Sequence, residues 1–236
     1  AADRVHEILD DEVRATLCPD KINTSQWLEV MEAAHTEGFN TTATIMYGHI
    51  EGYHHVARHL LRVRRLQERT QGFTEFVILP FIHMEAPLYL KGHARKGPTF
   101  REAVLIHAVS RLALNPVFKN IQASWTKLGH QGVKACLQAG VNDLGGTLMN
   151  ESISRAAGAA HGQEMPPETL ESLIRDAGRV PRQRTTLYDT PPQERRVAAI
   201  DRPALKPTVI TLARGYENDP KNKRNLLHPD LGSELP

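Results

Sequence analysis

The sequence is poor in cysteine, with only Cys18 and Cys136 among 236 residues. A disulfide framework or a cysteine-based metal site requires cysteines at short, regular spacings, and this pair forms neither pattern. Long apolar runs are lacking too, since no stretch approaches the roughly 20 residues that span a bilayer. The N-terminus also lacks the basic and apolar regions of a signal peptide. The expected compartment is therefore the cytoplasm.

An excess of charge of one sign is also absent. The chain has 29 Lys and Arg against 27 Asp and Glu, a formal net charge of +2. So balanced a chain does not predict a nucleic-acid surface or a membrane-attracting face. With 40% hydrophobic and 24% charged residues, the composition is typical of one globular domain with or without a tail.

The composition divides the chain into a domain at residues 1–189 and a Pro-rich polar tail at residues 190–236. The tail holds seven of the 15 prolines and one short apolar run, residues 209–213. This is too little apolar surface to offset chain entropy, so we expect the tail to be disordered. The cluster Lys221, Lys223 and Arg224 leaves a nucleic-acid-binding arm open, but interleaved acidic residues favour a solvated linker.

Within residues 1–189, short apolar runs alternate with longer amphipathic segments, the pattern of βα units. Two helices come first, at about residues 5–17 and 25–37. Strands are predicted at residues 42–47, 73–82, 121–125 and 141–144, each followed by a helix, and a last helix at about 167–177. The helices after the first and third strands are predicted at about residues 53–70 and 131–139, and the helix after the second begins with a capping box of Thr99 and Glu102. Four consecutive βα units predict an α/β fold with parallel strands, either a small open sheet or half of a barrel.

Polar residues gather just after each predicted strand, where both architectures place their sites. They are Gly48, His49 and Glu51; His83 and Glu85; Lys127; and Gly145, Gly146, Thr147, Asn150 and Glu151. Residues 143–151 give the strongest signal, because glycines allow close backbone approach to a ligand and a following helix start can hold an anion. A helix-capping role for Asn150 and Glu151 is the alternative.

Other candidate sites have weaker support. His55 and His59 lie four apart, as zinc ligands often do, with His54 beside them. The usual glutamate between such ligands is missing, so a solvated helix face is favoured. Glu75 lies inside an apolar strand and must pair, protonate or face a polar cavity. Trp125, at a predicted strand end, fits a core or a pocket equally well. Nucleophile-elbow, Walker and dinucleotide-binding motifs are all absent.

Several segments together resemble the tyrosine-using subunit of FO synthase, a radical S-adenosylmethionine enzyme family of deazaflavin coenzyme F-420 synthesis. The resemblance extends over residues 5–190. The segments that carry it are CPDKIN at residues 18–23, IMYGHIE at 45–51, FTEF at 73–76, LPF at 79–81, NIQASW at 120–125, residues 142–164 including GTLMNESI at 146–153, and RTTLY at 184–188.

The resemblance implies an α/β fold that is the C-terminal half, about four βα units, of a radical SAM (β/α)8 TIM barrel. In the family, a C-x-x-x-C-x-x-C loop after the first strand holds a [4Fe-4S] cluster that reduces S-adenosylmethionine. That loop is absent here, and the isolated Cys18 and Cys136 do not replace it. The cluster ligands are expected in a missing N-terminal half-barrel, so the chain alone is expected to lack the radical chemistry.

The implied reaction of the complete enzyme is transfer of the 4-hydroxybenzyl group of L-tyrosine to 5-amino-6-(D-ribitylamino)uracil. Partners are those two substrates, the missing half-barrel and the companion FO synthase subunit, with no nucleic acid and no membrane. Residues 44–51 resemble the adenine-contacting motif of radical enzymes, with Thr44 in place of its leading glycine and Met46 in place of its isoleucine. The implied site residues are Tyr47, Gly48 and Glu51 beside the nucleoside, Glu75, Gln122, Asn150 and Glu151 as catalytic groups, and His83 and Ser124 as substrate contacts.

Two alternatives remain open from the sequence. A sibling radical enzyme of the futalosine route to menaquinone shares the barrel and some strand-end motifs, although residues 120–125 and 146–152 fit the deazaflavin enzyme better. The other alternative is a non-catalytic half-barrel without the cluster loop. Unpaired strand edges would make such a fragment aggregate or associate with another chain.

Overall fold

The structure is a computed structural model that describes residues 8–148, 150–210 and 212. Residues 1–7 and most of the predicted tail, including Lys221, Lys223 and Arg224, lie outside the described part. The described part of the tail contains a helix, Gln193–Ile200, where the sequence predicts disorder. In chain order the elements are α1 (Asp11–Leu17), α2 (Thr24–Thr36), β1 (Thr41–Tyr47), α3 (Tyr53–Thr70), β2 (Phe73–Pro80), α4 (Pro87–Leu90), α5 (Phe100–Leu114), β3 (Ile121–Ala123), α6 (Trp125–Gln138), α7 (Ile153–Ala156), α8 (Pro167–Asp176) and α9 (Gln193–Ile200).

The strands form one parallel sheet in the order β1-β2-β3. In the register, Thr42 pairs with Glu75, and Val77 pairs with Gln122. Helices return the chain between successive strands, α3 from β1 to β2 and α5 from β2 to β3. The predicted α/β class with parallel strands is confirmed, and the architecture is compatible with part of an α/β barrel.

The fourth predicted strand, at residues 141–144, is reduced to a single parallel bridge between Gln122 and Asp143. The backbone still runs beside β3, where the Ala123 N–H donates to the Asp143 carbonyl over 3.0 Å. The Asp143 carboxylate then turns back to accept a 2.6 Å hydrogen bond from the Gly145 N–H. This local turn ends the extended conformation, because the backbone group that would continue the ladder is engaged by a side chain.

The third strand is shorter than predicted, because Ser124 and Trp125 open a helix instead of ending β3. Ser124 is the N-cap of α6 and Trp125 its first residue. A break at Gly129, with φ 64° and ψ −178°, separates this first turn from the predicted helix near residue 131. Trp125 is fully buried within the main core, so of the two sequence interpretations the core is correct.

The sheet has one face covered by helices and one open face. Alternate residues such as Ala43, Ile45, Phe76 and Ile78 are fully buried against the helices. The opposite side, the open face, bears Thr42, Thr44, Glu75 and Gln122 near its amino end, none of them fully buried. Toward the carboxyl end, Met46 is covered by the loop after β2 in a second apolar cluster that includes Phe81, Ala86, Tyr89 and Leu90.

Side-chain caps fix the helix starts that the sequence predicts. The Thr99 hydroxyl accepts a hydrogen bond from the Glu102 N–H, and the Glu102 carboxylate accepts one from the Thr99 N–H over 2.7 Å. This reciprocal box begins α5 where predicted. The same arrangement between Asn23 and Gln26 begins α2. None of the helices among the described residues has both the length and the apolar character to traverse a bilayer.

Candidate functional site

The carboxylate of Glu75 is the centre of a polar network on the open face. One oxygen, Oε2, accepts hydrogen bonds from Tyr188 Oη at 2.6 Å, Gln122 Nε2 at 3.1 Å and Arg184 Nη2 at 3.1 Å. The other, Oε1, accepts a weaker bond from the Thr42 hydroxyl at 3.3 Å. Glu75 is the third residue of β2, so the network lies toward the amino end of the sheet. Of the alternatives open for this buried charge, pairing is the one observed.

Arg184 joins two acidic side chains in this network. Its Nε donates to Asp143 Oδ2 in a short contact while its Nη2 reaches Glu75, and its guanidinium lies 4.1 Å above the ring centre of Tyr188. Burial alone would lower the pKa of Arg184, but Asp143 and Glu75 outweigh it and raise that pKa. Burial, with the hydrogen bond to Glu75, raises the pKa of the Tyr188 phenol. The network therefore holds a charged guanidinium and a neutral phenol as donors.

A chain of hydroxyl groups links Ser124 to Glu151 at the carboxyl end of the sheet. Ser124 Oγ lies 2.9 Å from Thr126 Oγ1, and Ser154 Oγ donates to the same Thr126 oxygen over 3.4 Å. The Ser154 N–H then donates to Glu151 Oε1 over 2.8 Å. The other carboxylate oxygen of Glu151, Oε2, is buried and has no partner among the described residues. A buried acceptor without a donor is costly, so this oxygen is available to a ligand.

Gln122 connects the network of Glu75 to the loop that carries Glu151. A Cβ atom added at Gly145, where φ is +71°, would lie 3.3 Å from Gln122 Oε1, so the glycine leaves room for this amide. The Trp125 indole donates to the Gly146 carbonyl over 2.9 Å. Farther along the loop, Leu148 and Asn150 have φ values of 46° and 62°, in the left-handed region. Non-glycine residues rarely adopt this conformation, and binding sites are among the places where they do.

The turn after β1 is built around the buried Glu51 carboxylate. Oε1 accepts from the Gly48 N–H at 2.5 Å, and Oε2 accepts from the His49 N–H at 2.9 Å and also contacts His49 Nδ1. Burial by itself would raise the pKa of Glu51, but the bonds from His49 and Gly48 lower it overall, so the carboxylate stays charged. Pro98 occupies the space beside Gly48 that a Cβ would need. Glu51 therefore stabilises this turn, and position 48 has no room for a side chain.

The Tyr47 side chain lies on the helix-covered face, where it is 1% exposed. Its hydroxyl has no hydrogen-bond partner among the described residues. Tyr47 is one of the residues that line a cavity of about 160 Å³. Glu51, Arg95 and Glu102 supply other polar groups of that cavity. Burial, the largest influence, raises the pKa of Tyr47, so the phenol is a neutral donor. The structure thus separates Tyr47 from the open face of the sheet.

His83 lies in the loop after β2, which contacts the segment that follows Glu151. Its ring packs edge-on against Tyr89 with ring centres 4.8 Å apart, and burial together with Lys96 lowers its pKa. Two residues farther on, the Glu85 N–H donates to the Ala157 carbonyl over 3.2 Å. The loops that carry His83 and Glu151 therefore meet at the carboxyl end of the sheet, away from Glu75.

His54 and His55 lie close to an acidic residue of another helix, Glu12 of α1. Donor atoms of Glu12, His54 and His55 all lie within 4.8 Å of one another. His55 Nδ1 accepts a hydrogen bond from the Gly52 N–H, which places the ring proton on Nε2, 3.1 Å from the Glu12 carboxylate. Protonated Nε2 does not ligate a metal ion. His59 is 1% exposed and accepts a hydrogen bond from the Leu9 N–H, so the solvated helix face that the sequence favours is wrong for this histidine.

Neither cysteine fits an iron–sulfur cluster. Cys18 and Cys136 are both buried, with exposed fractions of 2% and 0%. Burial raises the pKa of the Cys136 thiol to about 12, whereas cluster ligands are thiolates. Cys18 precedes α2 and Cys136 lies in α6, so they do not share the short loop that such a site needs.

The sequence does not predict four residues that complete the network around Glu75 and the hydroxyl chain between Ser124 and Glu151. Arg184 and Tyr188 lie 109 and 113 residues from Glu75, and no local spacing connects them. They do fall within the RTTLY segment that carries the resemblance. Thr126 and Ser154 complete the hydroxyl chain, but single hydroxyl residues near a helix start resemble ordinary caps.

Comparison with known proteins identifies the relatives of this chain. A family model described as the CofH/MqnC C-terminal region matches residues 70–197, more than half of the 236 residues. The chain belongs to this family. The match includes β2, β3, the loop with Asn150 and Glu151, and Arg184 and Tyr188.

Curated relatives of the family are about 50% identical to the chain over the aligned residues. A 5-amino-6-(D-ribitylamino)uracil–L-tyrosine 4-hydroxyphenyl transferase of Methanocaldococcus jannaschii is 52% identical over 182 residues, 77% of this chain and 51% of that protein. The transferase of the same name from Methanopyrus kandleri is 51% identical over 183 residues, 78% of this chain and 50% of that protein. An FO synthase of Streptomyces avermitilis is 49% identical over 193 residues, 82% of this chain but 22% of that protein. The chain therefore spans about half of the length of the two transferases and about a fifth of the FO synthase.

Proposed function

We propose that the chain is the C-terminal part of a radical S-adenosylmethionine (β/α)8 barrel enzyme. The complete enzyme transfers the 4-hydroxybenzyl group of L-tyrosine to 5-amino-6-(D-ribitylamino)uracil in deazaflavin synthesis. The observation that carries this proposal is the identity of about 50% with transferases of that name. The family match over residues 70–197 includes both Glu75 and Glu151. The parallel βα order and the half-length coverage support the barrel.

In this proposal, S-adenosylmethionine and the [4Fe-4S] cluster belong to the complete enzyme, with the cluster ligands outside this chain. The two buried cysteines support that division. Among the described residues β1 pairs only with β2, so its other edge is available to a strand of an N-terminal half-barrel. The chain alone is then inactive, and that half-barrel is its partner.

The side chains that we propose contact the substrates lie at the carboxyl end of the sheet. Glu151 Oε2 is a buried acceptor for a substrate N–H, O–H or ammonium group, and the Ser154 N–H, which donates to Oε1, holds the carboxylate in place. Ser124, Asn150 and His83 supply further polar groups. Gln122 donates to Glu75 through Nε2, which leaves Oε1 beside Gly145 as an acceptor. The nucleoside then lies beside the turn that Tyr47, Gly48 and Glu51 form.

The test uses the complete protein that carries this chain, prepared without oxygen and with its cluster reconstituted. With L-tyrosine, the ribityluracil and S-adenosylmethionine, mass spectrometry should show the 4-hydroxybenzyl adduct of the ribityluracil. The 236-residue chain alone should give neither adduct nor S-adenosylmethionine cleavage. Cleavage by the complete protein in the presence of tyrosine, without any adduct, would overturn the substrate assignment.

A variant of Glu151 tests the site within that assay. Glu151→Gln replaces an acceptor oxygen with a donor group, and adduct formation should fall by about a hundredfold, the range of a lost proton-transfer or charge contact. Glu168→Gln, on the exposed side of α8, is the matched control and should turn over like the wild type. Unchanged turnover of Glu151→Gln would remove this residue from the site.

A further inference from the structure

Residues 205–208 lie across the loop that carries Asn150 and Glu151, and we call this segment the strap. The side-chain amide of Gln163 forms hydrogen bonds to the strap through both its oxygen and its nitrogen. Its Oε1 accepts from the Thr208 N–H at 2.9 Å, and its Nε2 donates to the Lys206 carbonyl over 3.3 Å. The Leu205 N–H donates to the Glu164 carboxylate over 2.6 Å. Three backbone groups of the strap are therefore hydrogen-bonded to two neighbouring side chains, those of Gln163 and Glu164.

Thr208 extends these contacts to the candidate site. Its hydroxyl donates to Asn150 Oδ1 over 3.2 Å. Arg155 donates to the Thr208 carbonyl over 2.8 Å and to its hydroxyl over 3.3 Å, which orients the hydroxyl toward Asn150. With Oδ1 occupied, Asn150 keeps its Nδ2 donor, for which the described residues supply no partner.

The strap and Glu151 are tied to the same residue. The Glu151 N–H donates to the backbone carbonyl of Gln163 over 2.7 Å, while the Gln163 side chain holds the strap. Between the strap and Glu151, Asn150 has a φ of 62°. Left-handed backbone of a non-glycine residue persists where surrounding contacts fix it, and Thr208 supplies such a contact.

We propose that the strap is a positioning element that fixes Asn150 and Glu151 for the substrate. It lies beyond residue 197, where the family match ends, so this part of the site is supplied from outside the family region. The effect on turnover rests on the proposed function, whereas the docking of the strap does not. Thr208 and Gln163 are positioning residues that act through Asn150 and Glu151.

Amide hydrogen exchange on the complete protein that carries this chain tests the docking directly. In the wild type, the Leu205 and Thr208 amides should exchange at least about fivefold more slowly than the same amides in the isolated peptide, as expected for one net hydrogen bond. Gln163→Ala should abolish the protection of Thr208 and speed exchange at Glu151. Gln138→Ala, at an exposed position of α6, is the control. Unprotected Leu205 and Thr208 amides in the wild type, or unchanged exchange in Gln163→Ala, would refute the strap.

Substitutions of Thr208 in the complete enzyme test positioning. Thr208→Val loses the hydroxyl and should lower the ratio of adduct formed to S-adenosylmethionine cleaved by about fivefold. Thr208→Ser keeps the hydroxyl and should retain the wild-type ratio. A structural role alone would lower adduct and cleavage together and leave the ratio unchanged, which would overturn the proposal. A wild-type enzyme without adduct would refute the proposed function, while the exchange result on the strap would stand.

Discussion

The Tyr188 phenol donates a 2.6 Å hydrogen bond to the Glu75 carboxylate, which joins residues 113 positions apart. Glu75 lies near the start of β2, and Tyr188 lies in the segment after α8. This bond and the ion pairs of Arg184 hold residues 184–188 against the amino end of the sheet. The loops with Glu151 and His83 lie at the other end, where the strands have their carboxyl ends.

Removal of the Tyr188 hydroxyl should destabilise the chain. Tyr188→Phe leaves a bond to a charged carboxylate unmade, at a cost of about 1.5–3 kcal/mol in the free energy of unfolding. Urea unfolding followed by circular dichroism measures this change. Tyr53→Phe, with an exposed fraction of 62%, is the matched control and should shift the free energy by less than about 0.5 kcal/mol. Equal effects of both substitutions would contradict the role of the bond to Glu75.

Loss of Arg184 should cost more, because it leaves two acidic side chains without their cation. The Asp143 and Glu75 side chains are 5% and 14% exposed. Arg184→Leu should lower the free energy of unfolding by about 3 kcal/mol, as for a broken buried ion pair. In the Glu75→Gln background the cost should be smaller, which a double-mutant cycle measures. Arg175→Leu breaks an exposed pair with Glu171 and should cost less than about 1 kcal/mol.

The sequence predicted the parts of the fold that depend on local chemistry. The Thr99–Glu102 capping box, the span of α3 and the start of β1 follow from capping, spacing and alternation, and the structure has them. The fourth strand failed because the Asp143 side chain bonds the Gly145 N–H, a turn that competes with the ladder. The sequence predicts Trp125 at a strand end because periodicity does not distinguish a short strand from the first turn of a helix.

The candidate site could be predicted only as a location. Residues after the strands meet at the carboxyl end, as the alternation of strands and helices predicts, and Ser124 and Glu151 are linked there. Which groups pair with Glu75 could not be predicted, since Arg184 and Tyr188 reach it through the path of the chain after α8. The functional roles of the nine implied residues remain predictions.

Two glycine substitutions separate a steric clash from backbone strain. Gly48 and Gly38 both have positive φ values, 95° and 84°. A Cβ at Gly48 would collide with Pro98, whereas a Cβ at Gly38 meets no described atom within 4 Å. Gly38→Ala should therefore cost about 1 kcal/mol of backbone strain, and Gly48→Ala about 1–3 kcal/mol more. Thermal or urea unfolding measures both. Equal costs would show that Pro98 yields without penalty.

Two buried histidines should make stability fall in mild acid. Burial lowers the pKa of His59 to about 3 and of His107 to about 4, from an ordinary value of 6.5. Their neutral forms contribute full stability above pH 6.5, and this is lost as the pH falls toward 4, because only the unfolded chain takes up the protons. Each contributes a slope of at most about 1.4 kcal/mol per pH unit.

Substitution of His107 isolates one of these contributions. His107→Leu should reduce the loss of unfolding free energy between pH 6.5 and pH 4.5, because one proton is no longer taken up. Urea titrations across this range measure the slope. His93→Asn, at an exposed position, should keep the wild-type slope. If His107→Leu kept that slope as well, His107 would not be the group that titrates.

The contact between Trp125 and the Gly146 carbonyl gives the chain an optical reporter. Its indole is fully buried and bonded to the loop that leads to Glu151, whereas Trp27, the other tryptophan, stacks on Phe73 at the amino end of β2. Emission from Trp125 should be blue-shifted because the indole is buried, and it should respond when the 2.9 Å bond to the loop opens. In a Trp27→Phe background, fluorescence therefore follows the movement of this loop in real time, without an attached dye.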